Sequence, residues 1–438
     1  MRVAFVLLLR PHIDTRFDPT LYHLMGLNLA DGHGLVRPAP TPGAPLLPTA
    51  EFGPVMPGLV AAAATLGVRS ADGQALFTAA IGALTVVVVG LLGRRVAGAR
   101  VGLVAAAIVA FHPLLVQIDG ALGSESPYLF LVALLLLATV WACESPSLGR
   151  WFVVGLVAGL AALTRAEALG LLALLVVPLA LIRAGPGWRR SLATAAMPLL
   201  AAAILIAPWT IRNWDTFHRF VPVSNNTGSV VLGANCAKTY DFGPRQGGWE
   251  FGCVATWVGE HPALGQVTAE QNEAAVYTRW RDAGFRYALD HPGAYLASIP
   301  SRIARTWGVY WYPRDQIFYD QRDGRDYTLQ AIGFVVAFVL LVLAAFAVRP
   351  LWRRLRDERW VAAVLGVPVA VTVLTAFVTY GSTRFRVIAE PTIAILAAVT
   401  LVALYDRLRA RRSPRPDAEV DQPVAERGVS GAELDVAG

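Results

Sequence analysis

Blocks of apolar residues recur along the chain near 75–93, 101–118, 126–143, 151–166, 168–183, 191–209, 329–348, 360–380 and 387–405. Each is read as a membrane span, because a helix of about 20 apolar residues crosses the hydrocarbon layer. The alternation of a strand is absent, which excludes a β-barrel. The run from Trp151 to Ile182 is too long for one helix and is interrupted by Thr164-Arg165-Ala166-Glu167, so it reads as two short helices meeting at a polar turn. The opening MRVAFVLLLR is apolar but too short to span and carries no cleavage site. It reads as the tail end of a first transmembrane helix, with a half-inserted interfacial segment as the alternative. Residues 55–68 are apolar but short and read as a juxtamembrane or re-entrant helix.

Between these two lies the polar segment Pro11–Pro57. Asp18 precedes Pro19 and a run containing Leu21, Leu24, Leu27 and Leu29, the pattern of a helix start with Asp18 as N-cap and Pro19 at the first helical position. Asp14 then belongs to the connection.

These elements predict an all-α polytopic membrane protein of about ten transmembrane helices, with juxtamembrane helices in the first outer loop. Residues 1–209 form an N-terminal membrane region whose first-loop segment, 11–70, carries candidate chemistry. Residues 210–327 read as a small α-rich extracytoplasmic domain, 328–406 as C-terminal membrane helices, and 407–438 as a cytoplasmic tail, disordered where Pro, Asp and Glu dominate after Ser413. Only 16% of residues are charged and mean hydropathy is +0.50, against about 25% charge in soluble domains. The net charge of +7 resides at helix ends and no recognition motif accompanies it, which argues against a nucleic-acid partner. Arginines group at 94–100, 183–190, 349–359 and 407–412; alternating the spans puts all four groups on one side, the cytoplasm.

On the opposite side the unusual residues gather. Asp18, Glu51, Glu125, Arg165, Glu167, Arg212, Arg384, Arg386 and Glu390 all map to outer span ends or adjoining loops. Each has an ordinary structural reading, as cap, snorkelling cation or ion-pair member. Together they suit transfer from a phosphate-linked lipid: an arginine fork binds phosphate and stabilises the charge developing on it, and a carboxylate accepts a proton from an incoming hydroxyl. Cys236 and Cys253 share the outer segment and are expected to pair, whereas Cys143 ends a span and is expected to be buried and reduced. Asn225-Asn226-Thr227 is a glycosylation sequon by spelling alone.

At these residues the chain resembles the GT-C superfamily of membrane glycosyltransferases, in the bacterial branch similar to protein mannosyltransferases and the lipid A aminoarabinose transferase. The resemblance rests on Asp18-Pro19-Thr20-Leu21-Tyr22-His23, Thr49-Ala50-Glu51-Phe52-Gly53-Pro54, Ser124-Glu125, and Gly159 through Arg165. It continues in Pro208-Trp209-Thr210-Ile211-Arg212-Asn213 and Arg384 through Pro391, and so covers nearly the whole chain to Asp406. It implies inverting transfer of a hexosyl or pentosyl group from a polyprenyl-phosphate donor to a hydroxyl of a lipid, glycan or protein, on the outer face of a bacterial plasma membrane. Asp18 is implied as base, with Glu51 a second catalytic residue that holds acceptor or a divalent cation, magnesium or manganese. Tyr22, His23, Glu125, Arg165, Arg212, Arg384 and Arg386 are implied in substrate binding. Some relatives carry a lysine where Phe52 follows Glu51, so phosphate binding here is left to arginines. The rival readings are a flippase or transporter of a lipid-linked sugar, and a non-catalytic subunit of envelope assembly.

Overall fold

The computed structural model describes residues 1–10, 18–39, 43–268, 270–310 and 325–412. Asp14 and the acidic tail from Ser413 lie outside the described residues. Wherever the sequence carries an apolar block the chain is helical, since a helix pairs its backbone groups within its own segment. The first half holds α1 (Asp18–Ala30), α2 (Val55–Thr65), α3 (Ala71–Ala97), α4 (Ala99–Phe111), α5 (Pro113–Gly120), α6 (Glu125–Glu144) and α7 (Leu148–Thr164). α8 (Ala168–Arg183), which contains a π-helical turn, and α9 (Trp188–Phe217) complete it. The polar middle folds into α10 (Thr227–Ala234), α11 (Phe251–Glu260), α12 (Glu273–Asp290) and α13 (Pro292–Thr306). The chain closes with α14 (Tyr327–Phe346), α15 (Arg359–Val378) and α16 (Glu390–Arg412). Among the described residues there is no strand; an isolated antiparallel bridge, Val36 to Pro48, pins the loop between α1 and α2.

Among the described residues six helices, α3, α6, α9, α14, α15 and α16, are long and apolar enough to cross a membrane, and α4 with α5 makes a seventh if taken as one bent span. The two helices predicted around the Thr164–Glu167 turn are present as α7 and α8, but both are shorter. At 1.5 Å per residue the 17 residues of α7 cover only about 26 Å. One apolar cluster joins α3 to α8 with α15 and α16, and Trp151 is buried at its centre. The helix expected to end at 209 continues to Phe217, where His218 adopts a left-handed backbone (φ 53°) and stops it.

The predicted span 101–118 bends by 59° between α4 and α5. Pro113 has no N–H to offer the Val109 carbonyl, and the Leu114 amide turns to His112 Nδ1 (3.2 Å), abandoning Ala110. Arg2 takes both orphaned carbonyls, Val109 at 3.1 Å and Ala110 at 3.3 Å, while its Nε donates to Asp119 Oδ2 at 2.6 Å. Asp119, which the sequence places in an outer loop, is therefore a fully buried part of α5. A carboxylate withdrawn from water needs a cation beside it. Arg2 supplies one, and Ser126 Oγ adds a hydrogen bond at 2.7 Å. Phe5 and Val6 of the same N-terminal segment pack on Ala75, Ala79 and Val116.

Candidate active site

Four separate elements deliver one ion network at the end of the bundle. Asp18 opens α1, Glu125 opens α6, Arg165 and Glu167 occupy the turn between α7 and α8, and Arg384 lies in a 3-10 turn, Thr383–Ile388. Arg384 donates from one terminal nitrogen to Asp18 Oδ2 (2.7 Å) and from Nε to Glu125. Arg165 donates to Glu125 (3.1 Å), Glu167 (2.9 Å) and Ser124 Oγ (3.4 Å), and its guanidinium faces the rings of Tyr128 and Phe385. Tyr22 reaches Ser124 with its hydroxyl and packs against Phe52, ring centroids 4.6 Å apart. The carboxylates differ in access. The Glu125 side chain is 3% exposed and clamped between two guanidiniums, whereas that of Asp18 is 29% exposed. Glu125 is enclosed by the arginines, and Asp18 is the more accessible of the two.

A second cluster surrounds Glu51. Arg37, from the loop before it, donates to Glu51 at 3.2 Å and lies 3.7 Å from Glu273. Glu273, in the first turn of α12, is wholly buried and accepts from Thr49 Oγ1 (2.6 Å), the Ala50 amide (2.8 Å) and Asn225 Nδ2 (3.1 Å). Thr49 Oγ1 in turn accepts from the Glu51 amide at 3.0 Å. One helical turn further on, Tyr277 hydrogen-bonds Glu51. Burial pushes the Glu51 carboxyl up to about 7; Arg37 and the Tyr277 hydroxyl pull it down, while Glu273 and Asp18 push it up. Gly53 ties the two clusters together: a Cβ there would lie 2.0 Å from the Leu163 carbonyl oxygen, so only glycine lets this strip press against the end of α7.

The structure thus brings Asp18, Tyr22, Glu125, Arg165 and Arg384 together, and sets Glu51 and Arg212 beside them. Arg212 donates to the Thr49 carbonyl (2.9 Å) and the Leu35 carbonyl (2.9 Å) and so braces the Glu51 strip. Two predicted substrate-binding residues turn elsewhere. His23 Nδ1 pairs with Gln74 Oε1 at 2.7 Å on α3, and Arg386 is buried against Glu390 at 2.6 Å. Asn225 is buried and bonded to Glu273 and Ala50, which removes it as a glycosylation acceptor. Cys236 and Cys253 are bonded to each other between α10 and α11, Cα atoms 6.2 Å apart. Sequence reading missed Arg37, Glu273 and Tyr277. Arg37 gave a faint signal, as an arginine in the same loop as Glu51; the other two look like ordinary residues of an amphipathic helix.

Residues 51–212 match the family model of dolichyl-phosphate-mannose-protein mannosyltransferase. No curated protein matches the chain in sequence. Among solved structures, the Archaeoglobus fulgidus oligosaccharyltransferase tethered to an acceptor peptide superposes with a TM-score of 0.54 at 15% identity, covering 94% of this chain and 49% of that one. The same enzyme in complex with Zn and sulfate gives 0.52 at 16% identity, with coverage of 94% and 49%. The chain shares the fold of that oligosaccharyltransferase. The chain is a multi-pass membrane protein and spans about half the length of the solved structures it matches.

A divalent cation does not fit the candidate site as it is built here. Among the described residues no group of three or more His, Cys, Asp or Glu side chains converges. Asp18 and Glu125 face Arg384 and Glu51 faces Arg37, so one oxygen of each carboxylate already accepts from a guanidinium, and a cation there would sit against positive charge.

Proposed function

We propose that this protein transfers a sugar from a polyprenyl-phosphate donor to an acceptor hydroxyl, with inversion, at the outer face of a bacterial plasma membrane. The observation that carries this reading is the convergence of Asp18 and Glu125 on Arg384, with Arg165 behind them, from four elements far apart in sequence. Side chains so placed supply a proton acceptor and positive charge within one small volume, at the end of a bundle where a lipid headgroup lies.

In this reading the acceptor oxygen attacks the anomeric carbon on the side opposite its bond to phosphate. The new C–O bond forms as the sugar–phosphate C–O bond breaks, the hydroxyl proton passes to the Asp18 carboxylate, and lipid phosphate departs with the bonding pair. Arg384 orients Asp18 through its 2.7 Å bond and supplies positive charge nearby. Glu51, whose carboxyl is raised by burial, is placed to hydrogen-bond a sugar or acceptor hydroxyl. No step is routed through a metal ion.

The test is transfer from a panel of synthetic polyprenyl-phosphate hexoses and pentoses to acceptor by purified protein in nanodiscs. Product formed by the wild type and lost in Asp18→Asn supports the reading. Movement of intact lipid-linked sugar across liposomes, without product, would instead establish a flippase.

A further inference from the structure

The arginines that the sequence offers for a lipid phosphate each hold a partner already. Arg165 and Arg384 hold carboxylates, Arg386 holds Glu390, and Arg212 is spent on backbone carbonyls. A phosphate arriving at any of them must first displace a partner from a buried site, at the cost of leaving that partner unpaired.

Beside this network is a cavity of about 520 Å³, within the ordinary range for small-ligand sites. Its walls include Ala166 and Leu169 at the Arg165 turn, Arg219 and Phe220 just past the end of α9, and Tyr277 and Arg281 on α12. It therefore backs onto both halves of the candidate site: Ala166 adjoins Arg165, and Tyr277 is the residue that bonds Glu51. Its two cations are uncommitted by comparison. Arg219 has no carboxylate partner among the described residues, and Arg281 pairs only with its exposed sequence neighbour Asp282 (2.8 Å). Hydroxyls of Ser224 and Thr278 lie in the same wall.

The level of the cavity in the bilayer is marked by aromatic residues. Trp214, in the last turn of α9, is 54% exposed, and Phe220 is 73% exposed. Exposed tryptophan and phenylalanine at the end of a spanning helix fit the water–lipid boundary, the depth of a lipid phosphate. Two guanidiniums suit that phosphate, since each forks onto its oxygens.

We infer that this cavity is a binding site for the phosphate of an isoprenoid phosphate, held by Arg219 and Arg281, with the first isoprene units lying against Leu169 and Phe220. The inference rests on the proposed lipid-phosphate chemistry and gives it a place to dock, a few residues from the reacting groups.

Binding is measured on the full chain in detergent, with farnesyl phosphate as probe and farnesol, inorganic phosphate and phosphatidylglycerol as controls. Farnesyl phosphate should bind. The double variant Arg219→Gln/Arg281→Gln should bind it about tenfold more weakly or worse, with an unchanged melting temperature, because both cations are at the surface. Farnesol and inorganic phosphate, each half of the ligand, should bind far more weakly. Equal binding by wild type and double variant overturns the assignment, as does no binding by the wild type. Displacement by phosphatidylglycerol as effective as by farnesyl phosphate also overturns it, since the site would then read any anionic lipid. Turnover separates this from the functional reading. Transfer activity with farnesyl phosphate binding insensitive to the double variant sinks the site alone. Arginine-dependent binding in a wild type that transfers no sugar sinks the transferase and leaves the site.

Discussion

Glu273 and Thr49 meet at 2.6 Å across 224 residues of chain. The contact joins α12 to the strip that carries Glu51, and the same carboxylate also accepts from Ala50 and Asn225. Glu273→Ala would leave those donors buried and unanswered, each costing about 1–3 kcal/mol. The expected outcome is a lowered melting temperature and loss of transfer. Glu273→Gln keeps an acceptor oxygen but sets an NH2 group against a donor, so it should transfer about tenfold or more slowly with a smaller loss of stability. Wild-type turnover in Glu273→Gln would show that the strip needs no such anchor.

Asp18→Asn keeps the size of the side chain and an oxygen for Arg384, but cannot accept a proton. It should fold, bind donor and lose transfer by a factor on the order of 10²–10⁴. Asp14→Asn should lose much less. A near-normal rate in Asp18→Asn with a dead Asp14→Asn would move the base to the other carboxylate.

Glu51 makes stability pH-dependent in a direction that can be signed. Its carboxyl is raised from an ordinary 4.5 to about 7, so between those values the folded chain binds more protons than the unfolded one. Its contribution is full below about 4.5 and is lost as pH rises through about 7. The swing is at most on the order of 3 kcal/mol. Denaturant titrations at pH 4.5 and 7.5 should therefore show Glu51→Gln gaining relative to wild type at the higher pH. Parallel pH dependence in the two proteins would rule out the shift.

The Cys236–Cys253 bond closes a short loop, worth roughly 3 kcal/mol in the chain-entropy model. Denatured but unreduced protein should expose one reactive thiol, that of Cys143, and reduction should raise the number to three. Three thiols without reductant would mean the bond does not form.

Arg190 lies in the first turn of α9, and Gly247 lies in the polar segment that follows its other end. Reporter fusions should place Arg190 in the cytoplasm and Gly247 outside. The same side for both would overturn the orientation and with it the placement of the site.

The helices were legible because lipid imposes a local rule, a long apolar run with its backbone bonds internal, and each predicted block coincides with a helix. The Thr164–Glu167 turn was legible for the same reason, as polar residues interrupting such a run. The bend at Pro113 was within reach, because a proline inside a span forfeits a hydrogen bond. The burial of Asp119 was not, because its partner Arg2 is 117 residues away. The site divides the same way. Asp18, Glu125, Arg165 and Arg384 attract notice as charges at span ends. Glu273 and Tyr277 have no such setting, and their role arises only when α12 folds back onto the first loop.

That fold-back has a thermal consequence. α12 buries few apolar side chains, Ala274, Val276 and Tyr277, whereas α6 of the bundle is buried along most of its length, and elements with few buried apolar contacts open at lower free energy than the core. Since Glu273 and Tyr277 leave with α12, warming should extinguish turnover while circular dichroism still reports a helical membrane bundle. Cooling before α12 misfolds should restore the rate.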